Sequence, residues 1–373
     1  MHIGLLAAAG SIHTIKIANG LAALGFRVTL FSLPGHRDAD KALDSSVDLI
    51  YLKYGGAKGY LCNCGYLKKV VKQRGIDVLN THYASGYGTL AAFVGFQPNV
   101  LSVWGSDVYE FPEKSFVHRW LIKKNLSKAT AILSTSRVMA QHVMQYTPDK
   151  PITITPFGID LHDFCPANPT RDTGDTVTIG IVKTLSPKYG VKELIAAFHI
   201  VVRQLPERSM RLSVYGDGPQ RQELECMAQS LGLGDKMTFY GRIPHPEVPD
   251  ALRTLDIFCA PSTRDSESFG VAAVEAMACG IPCVTSDADG FTEVMEDGVT
   301  GFIVPKNDVG ALADKIKLLV TDRRLRARMG AAGRIRVERN YDWQENIKTI
   351  ARALSSPATA AGIYEISGGG ELP

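Results

Sequence analysis

The sequence lacks the marks of several large functional classes. None of its apolar runs reaches the ~20 residues needed to cross a bilayer. Its formal charge is only +3, and no basic run is interleaved with aromatics, so nucleic acid is not an expected partner. Its seven cysteines, an odd number without a framework spacing, exclude a disulfide scaffold and read as reduced thiols of a cytoplasmic protein. Cys62 and Cys64 have neither a His nor a second Cys pair nearby, which argues against zinc. A G-x-G-x-x-G fingerprint is missing after the first expected strand, where Gly10-Ser11 stands. The nicotinamide-dehydrogenase reading therefore loses its main support. No acidic cluster has an evident metal role either. Asp287-Ala288-Asp289 has the spacing, but it follows a strand and reads as a turn.

What is present is a strand–helix alternation, repeated in two halves. A chain of 373 residues exceeds the usual single core, so two domains are expected. Ile3–Ala7 reads as a strand and Ile12–Leu24 as an amphipathic helix ended by Gly25; Val28–Phe31 follows as a strand. The apolar stretch Ile3–Ala9 turns helical and polar by Lys16, so it reads as a first strand rather than a signal peptide. Such a βαβ opening predicts a parallel sheet with right-handed crossovers. Strands over Asp77–Thr81 and Val100–Val103 end in His82-Tyr83-Ala84-Ser85-Gly86 and Trp104-Gly105-Ser106-Asp107. Both clusters share a sheet edge with Gly10, where open α/β sheets bind ligands. The segment Phe116–Ser127 sets Lys123, Lys124 and neighbouring cations around Phe116 and Trp120. It reads either as the solvated face of a core helix or as a patch for an anionic membrane surface.

After a linker placed at Leu161–Asp175, the pattern restarts with strands at Val177–Val182, Leu212–Tyr215, Met237–Tyr240 and Asp256–Ala260. The stretch Arg264–Val284 is the most informative. A polar loop carries Glu267, and a helix opens at Phe269-Gly270. Gly280 stops that helix and Pro282 prevents its continuation. Glu275 falls two turns after Glu267, on the same apolar stripe. A buried carboxylate is costly without a partner, and the free amides of a helix N-terminus hold anions. Lys183 and Lys188 flank a Pro-containing loop after the first strand of this half and suit a diphosphate.

The string Glu267-x7-Glu275, with Phe269-Gly270 and Glu275-Ala276-Met277-Ala278-x-Gly280-x-Pro282 in register, resembles the donor signature of retaining glycosyltransferases of family 4. Val182-Lys183-x4-Lys188-x-Gly190 is similar to that family's basic pair, and Tyr215-Gly216-Asp217-Gly218-Pro219 to its Gly-Asp-Gly-Pro turn. Gly241-Arg242-Ile243-Pro244 is similar to its base-contacting loop; Pro156-x-Gly158-Ile159-Asp160 and Gly298-x-x-Gly301-Phe302 match further landmarks.

The resemblance implies an α/β protein of the GT-B fold, two facing Rossmann-like domains with parallel sheets and a deep cleft between them. It implies an acceptor domain at 1–165, a nucleotide-sugar domain at 166–340, a helix crossing back at 341–356 and a flexible tail at 357–373. Glu275 would bind the donor ribose, and Glu267 the transferred sugar, helped by amides at Ser268, Phe269 and Gly270. Gly10 would approach the donor phosphates, while Lys183 and Lys188 would stabilise the leaving diphosphate. Gly216, Arg242 and Ile243 complete the implied donor site. Many members carry His where Trp104 stands, so His82 or Asp107 is expected to supply that polar contact.

The expected activity is metal-independent, cofactor-free, retaining transfer from a nucleotide-diphosphate sugar, UDP-sugar favoured over GDP-sugar. The acceptor would be lipid-linked or a saccharide in bacterial surface-polysaccharide or glycolipid assembly, with the protein cytoplasmic or peripheral on the inner membrane face. A soluble small-molecule acceptor is the first alternative; a nucleotide-sugar epimerase and a non-catalytic sugar-nucleotide binder are the others.

Overall fold

Among the described residues thirteen mostly buried strands set the architecture; burial on both faces suits parallel strands covered by helices. The computed structural model describes residues 1–36, 43–167 and 175–356. It divides into two units, Met1–Phe157 with Gln344 onward, and Gly158–Trp343.

The first unit runs β1 (His2–Leu6), α1 (Ile12–Ala23), β2 (Arg27–Ser32), β3 (Asp48–Tyr51), α2 (Gly56–Cys62), α3 (Cys64–Arg74), β4 (Val78–His82), α4 (Gly86–Val94), β5 (Asn99–Val103), α5 (Phe116–Lys128), β6 (Ala131–Ser134), α6 (Arg137–Met144) and β7 (Ile152–Ile154). Its parallel sheet has the order β3-β2-β1-β4-β5-β6-β7. The second unit runs β8 (Val177–Val182), α7 (Val191–Gln204), β9 (Met210–Tyr215), α8 (Arg221–Ser230), β10 (Met237–Gly241), α9 (Val248–Arg253), β11 (Ile257–Ala260), α10 (Val271–Ala278), β12 (Cys283–Ser286), α11 (Asp289–Val294), β13 (Gly301–Val304), α12 (Val309–Thr321) and α13 (Arg323–Asn340). Its sheet order is β10-β9-β8-β11-β12-β13, also parallel. The last helix, α14 (Trp343–Ser355), belongs to the first unit from Gln344 on.

Both sheets reverse their winding at one place, between β1 and β4 and between β8 and β11. Loops leaving two adjacent strands there turn to opposite faces of the sheet and open a crevice at the strands' carboxyl ends. In the second unit the crevice is floored by a continuous core that includes Ile179, Ile181, Phe198, Val214, Ile257 and Val284.

The structure differs from the sequence reading in two places. The unit division falls at Phe157/Gly158 rather than 165/166. Ile159 pairs with Asp342 in a short parallel bridge, and Arg334 donates to the Phe164 carbonyl at 2.7 Å, which ties this stretch to the second unit. Helix α12 starts at Val309, where the Asp308 side chain caps the Ala311 amide. The short edge strand β3 had no clear signal, since all four of its residues are only half-buried. Within the expected linker, residues 168–174 lie outside the described residues, as does the expected tail at 357–373.

Candidate active site

The crevice of the second unit gathers the chemistry. Lys183 leaves β8 and Glu267 stands in the loop after β11, so the two come from the strands that flank the switch point. Their side chains meet, with Lys183 Nζ 2.7 Å from Glu267 Oε2 and both mostly shielded from solvent. The Ser262 hydroxyl lies at 3.5 Å from the same oxygen. Lys188, one turn further along, has its ammonium 5.0 Å from the Tyr189 ring centroid. Lys183 approaches the same ring at 4.6 Å. One aromatic ring thus attracts both cations.

The loops that carry these groups are zipped together through their backbones. The Thr263 amide donates to the Lys188 carbonyl at 2.9 Å, and the Ser286 hydroxyl to the Ser262 carbonyl at 2.5 Å. The Gly290 amide donates to the Glu267 carbonyl at 2.9 Å, and a Cβ at Gly290 would stand 2.5 Å from that oxygen. Only glycine lets α11 come this close to the Glu267 loop. Gly216 does the same at φ +137°, where a Cβ would stand 1.9 Å from the Lys183 carbonyl oxygen.

Glu267 is not on the helix that follows. Gly270 adopts a left-handed conformation and α10 begins only at Val271, so Glu267 and Glu275 do not share a helical stripe. Glu275 alone is on α10, buried, with its Oε1 3.2 Å from His245 Nε2. The sequence reading missed that partner. Ser268 and Phe269 are buried, and the Phe269 ring packs edge-on against Tyr341. Their side chains therefore belong to the core, leaving backbone amides as what this stretch can offer. Beside the loop, the Ser266 hydroxyl is buried without a hydrogen-bond partner.

Gly216, Arg242 and Ile243 line one cavity of about 520 Å³ with Val182, Lys183, Thr184, Tyr215, Asp217 and Val248. Tyr215 and Tyr240 stack at its side, ring centroids 4.4 Å apart. The volume falls within the range of small-ligand sites.

Asp287 and Asp265 already have a cation. Lys306 Nζ lies 2.7 Å from Asp265 and 3.5 Å from Asp287, and the Lys306 amide donates to Asp287 at 2.8 Å. The first aspartate of the Asp-x-Asp spacing thus belongs to an ion-pair cluster with Lys306 and Asp265.

In the first unit Gly10 is exposed in the turn between β1 and α1. His82 and Asp107 do not fit the role expected of them. His82 is 1% exposed; one ring nitrogen lies 3.3 Å from Thr14 Oγ1 and the other 3.0 Å from Asn80 Oδ1. Burial, aided by the nearby His13, lowers its pKa to about 3, which leaves it neutral. Asp107 is 2% exposed, and its carboxylate accepts the amides of Ala84, Trp104 and Gly105 at 2.7, 3.2 and 2.9 Å. Burial raises its pKa while those amides oppose the rise. Both residues brace the strand ends from below. What the surface presents there is aromatic: Trp104 has the rings of His13, Tyr83 and Phe157 within 5.8 Å, and Tyr83 holds a left-handed φ of 71°. A signal for this existed in the Trp104 departure, but His13 was not legible as part of the cluster.

Comparisons with known proteins agree with this architecture. Residues 168–336 match the family model described as glycosyl transferases group 1, and residues 2–136 the model described as glycosyl transferase 4-like. A GDP-mannose-dependent alpha-(1-6)-phosphatidylinositol monomannoside mannosyltransferase of Mycolicibacterium smegmatis is 30% identical over 252 residues, 64% of this chain and 65% of that protein. A D-inositol 3-phosphate glycosyltransferase of Kribbella flavida is 27% identical over 92% of this chain and 89% of its own. A phosphatidyl-myo-inositol mannosyltransferase of Mycobacterium leprae is 35% identical over 48% of this chain. The match spans 46% of that relative, so this chain covers less than two thirds of the length of the first and third of these relatives.

Among solved structures, a sucrose-phosphate synthase of Thermosynechococcus elongatus superimposes with a TM-score of 0.82 at 22% identity, covering 96% of this chain and all of that one. HepE of Anabaena, solved with UDP, gives 0.82 at 20% identity over 95% of this chain and 100% of its own. At that identity the likeness speaks for the fold, which is GT-B. With two glycosyl transferase models together matching the bulk of both units, the chain belongs to the group 1 glycosyl transferases, family 4.

Proposed function

We propose that this protein transfers a hexosyl group, with retention of anomeric configuration and without a metal, from a nucleoside-diphosphate sugar to a lipid-linked or saccharide acceptor. One observation carries the reading: Lys183, Lys188 and Glu267 converge at the β8/β11 switch point, beside a cavity lined by Arg242, Ile243 and Gly216. A departing diphosphate needs its charge neutralised as the glycosidic bond breaks. Two ammonium groups held in place by Tyr189 and by backbone bonds do this without reorganising. Glu267 stands beside them to hold hydroxyls of the sugar as its ring gains positive character. The sugar C1–O bond to the diphosphate breaks and a C1–O bond to the acceptor forms on the same face. The acceptor proton passes to the leaving phosphate oxygen. Of the Asp287-Ala288-Asp289 spacing, Asp287 is already engaged by Lys306, which supports the metal-free route.

For the donor, relatives named as GDP-mannose-dependent mannosyltransferases support mannose carried on GDP, and we place GDP-mannose ahead of the UDP-sugar that the sequence reading favoured. For the acceptor, the same names speak of phosphatidylinositol lipids. The first unit has a surface suited to lipid. On α5, Phe116 and Trp120 are 84% and 58% exposed, and Phe93 on α4 is 49% exposed. Lys124 lies over both the Phe93 and Trp120 rings. Helix α4 packs against α2, α3 and α5. On that side, residues 52–76 hold Lys53, Lys58, Lys68, Lys69, Lys72 and Arg74 and no carboxylate. Among the described residues no helix is long and apolar enough to cross a membrane. Exposed aromatics flanked by lysines instead suit contact with an anionic bilayer surface.

The test is transfer of radiolabelled sugar from GDP-mannose and from UDP-glucose to phosphatidylinositol in vesicles and to free inositol phosphate, with excess EDTA in a parallel arm. Labelled lipid from GDP-mannose, undiminished by EDTA, is expected. Release of free sugar nucleotide products without any transfer would overturn the reading, and metal-reversible loss would overturn its metal-free part.

A further inference from the structure

Glu275 is a buried carboxylate, and burying such a group is costly unless it is hydrogen-bonded. The one side-chain partner it has among the described residues is His245, whose Nε2 lies 3.2 Å from Oε1. A carboxylate offers about four acceptor positions over its two oxygens. An Nε2–H on one of them leaves the others for the two hydroxyls of a ribose.

His245 is held where it is. It stands in Gly241-Arg242-Ile243-Pro244-His245-Pro246, between two prolines, and the residue before a proline has a restricted backbone. A short 3₁₀ turn spans His245–Glu247. The imidazole lies against the buried Phe164 ring, with centroids 5.8 Å apart. Phe164 is itself fixed to the helix that carries Glu275: Arg334 Nη1 donates to the Phe164 carbonyl at 2.7 Å and to the Ala278 carbonyl, in the last turn of α10, at 2.8 Å. Phenyl ring and guanidinium thus link the imidazole back to the helix that carries the carboxylate. Little conformational freedom is lost when a ligand arrives, and that is what makes such a contact effective in binding.

We propose that His245 is a positioning residue for nucleotide binding, orienting the Glu275 carboxylate so that it grips the ribose of the donor. The inference rests on the reading of Glu275 as the ribose-binding group. It predicts an effect on ground-state affinity, because the ribose changes little as the distant glycosidic bond breaks.

The experiment measures GDP and UDP affinity by titration calorimetry, together with donor KM and kcat, for wild type, Glu275→Gln, His245→Ala, His245→Gln and the double variant His245→Ala/Glu275→Gln. His245→Ala should weaken the nucleotide that binds by roughly 5- to 30-fold, the worth of a hydrogen bond to a charged group. It should raise KM by a similar factor and leave kcat within about 3-fold. The His245→Gln amide can donate from a similar position and should recover most of the affinity, which a merely structural role of the loop would not give. The double variant should be little weaker than Glu275→Gln alone, since the two residues act as one unit. If Glu275→Gln itself leaves affinity unchanged, or neither nucleotide binds, the ribose reading falls and the inference with it. If Glu275→Gln weakens binding while His245→Ala does not, or the two effects add in full, the inference falls alone. Loss of affinity in both His245 variants alike, with a lowered thermal midpoint, would likewise overturn it in favour of a structural role.

Discussion

Lys183 Nζ sits 2.7 Å from Glu267 Oε2, although the two residues are carried by strands far apart in sequence. Neighbouring strands β8 and β11 bring them together at the point where the sheet's winding reverses. The pair is shielded enough for its charges to matter to each other. It has an immediate consequence for binding: a diphosphate that engages Lys183 enters a site where a carboxylate already stands, so the ammonium must serve both. Removing the lysine leaves Glu267 with the weak Ser262 contact at 3.5 Å.

The two glutamates should therefore separate cleanly. Glu267→Gln keeps the shape but removes the charge that faces the sugar, and should lower kcat by roughly 10-fold to 10³-fold. Affinity for the free nucleoside diphosphate should hardly change, since that ligand has no sugar. Glu275→Gln should do the reverse, weakening the nucleoside diphosphate and raising KM more than it lowers kcat. Equal loss of nucleotide affinity in both variants would refute this division.

Lys188 and Tyr189 give a graded pair. Lys188→Ala removes a preorganised charge from the leaving group and should reduce turnover by roughly 10² or more at saturating donor. Tyr189→Leu keeps both lysines but removes the ring that gathers them, within 4.6 and 5.0 Å of its centroid. A loss of roughly 3- to 10-fold is expected, the scale of a cation–π contact. A larger effect for Tyr189→Leu than for Lys188→Ala in steady-state kinetics would contradict this ordering.

Burial of His82 should appear in the pH dependence of stability. Its folded pKa is lowered to about 3, while the unfolded chain protonates near 6.5. The unfolded state therefore takes up a proton first as pH falls. The stabilisation is complete above about 6.5 and is lost as pH drops from there toward about 3, by at most about 1.4 kcal/mol per pH unit. Urea unfolding between pH 7 and 5 should show that decline, and His82→Gln should make it shallower. His2 and His36 shift in the same direction through burial, so the slope should flatten without vanishing. An unchanged slope in His82→Gln would show that His82 is not neutral in the folded protein.

Vesicle sedimentation addresses the exposed face of α5. Wild type should pellet with anionic vesicles at low salt and be released at high salt, because the Debye length shrinks from about 30 Å at 0.01 M to about 3 Å at 1 M. Lys123→Glu with Lys124→Glu should weaken binding at low salt. Trp120→Ala should weaken the part that resists salt, since the indole supplies apolar area rather than charge. Absence of wild-type binding at any salt would favour a soluble acceptor and a merely solvated helix face.

The parts set by local rules were readable from the residues. Strand β8 falls where its apolar run placed it, and α10 lies between Gly270 and Gly280 as the glycines require. The motif spacing by itself marked Lys183, Lys188, Glu267 and Glu275, because these positions are fixed relative to strand ends and helix starts. Tertiary structure decided what each of them meets. His245 precedes Glu275 by thirty positions, and no period or motif links a loop imidazole to a carboxylate inside a later helix. His82 and Asp107 stand at strand ends, where sequence allows either an exposed catalytic group or a buried brace. Only the packing of Trp104, Thr14 and the Ala84 amide around them made them braces. Sequence reports which residues reach an edge of the sheet. Whether water or protein surrounds them there depends on contacts between segments distant along the chain, and those exist only once the sheet has closed.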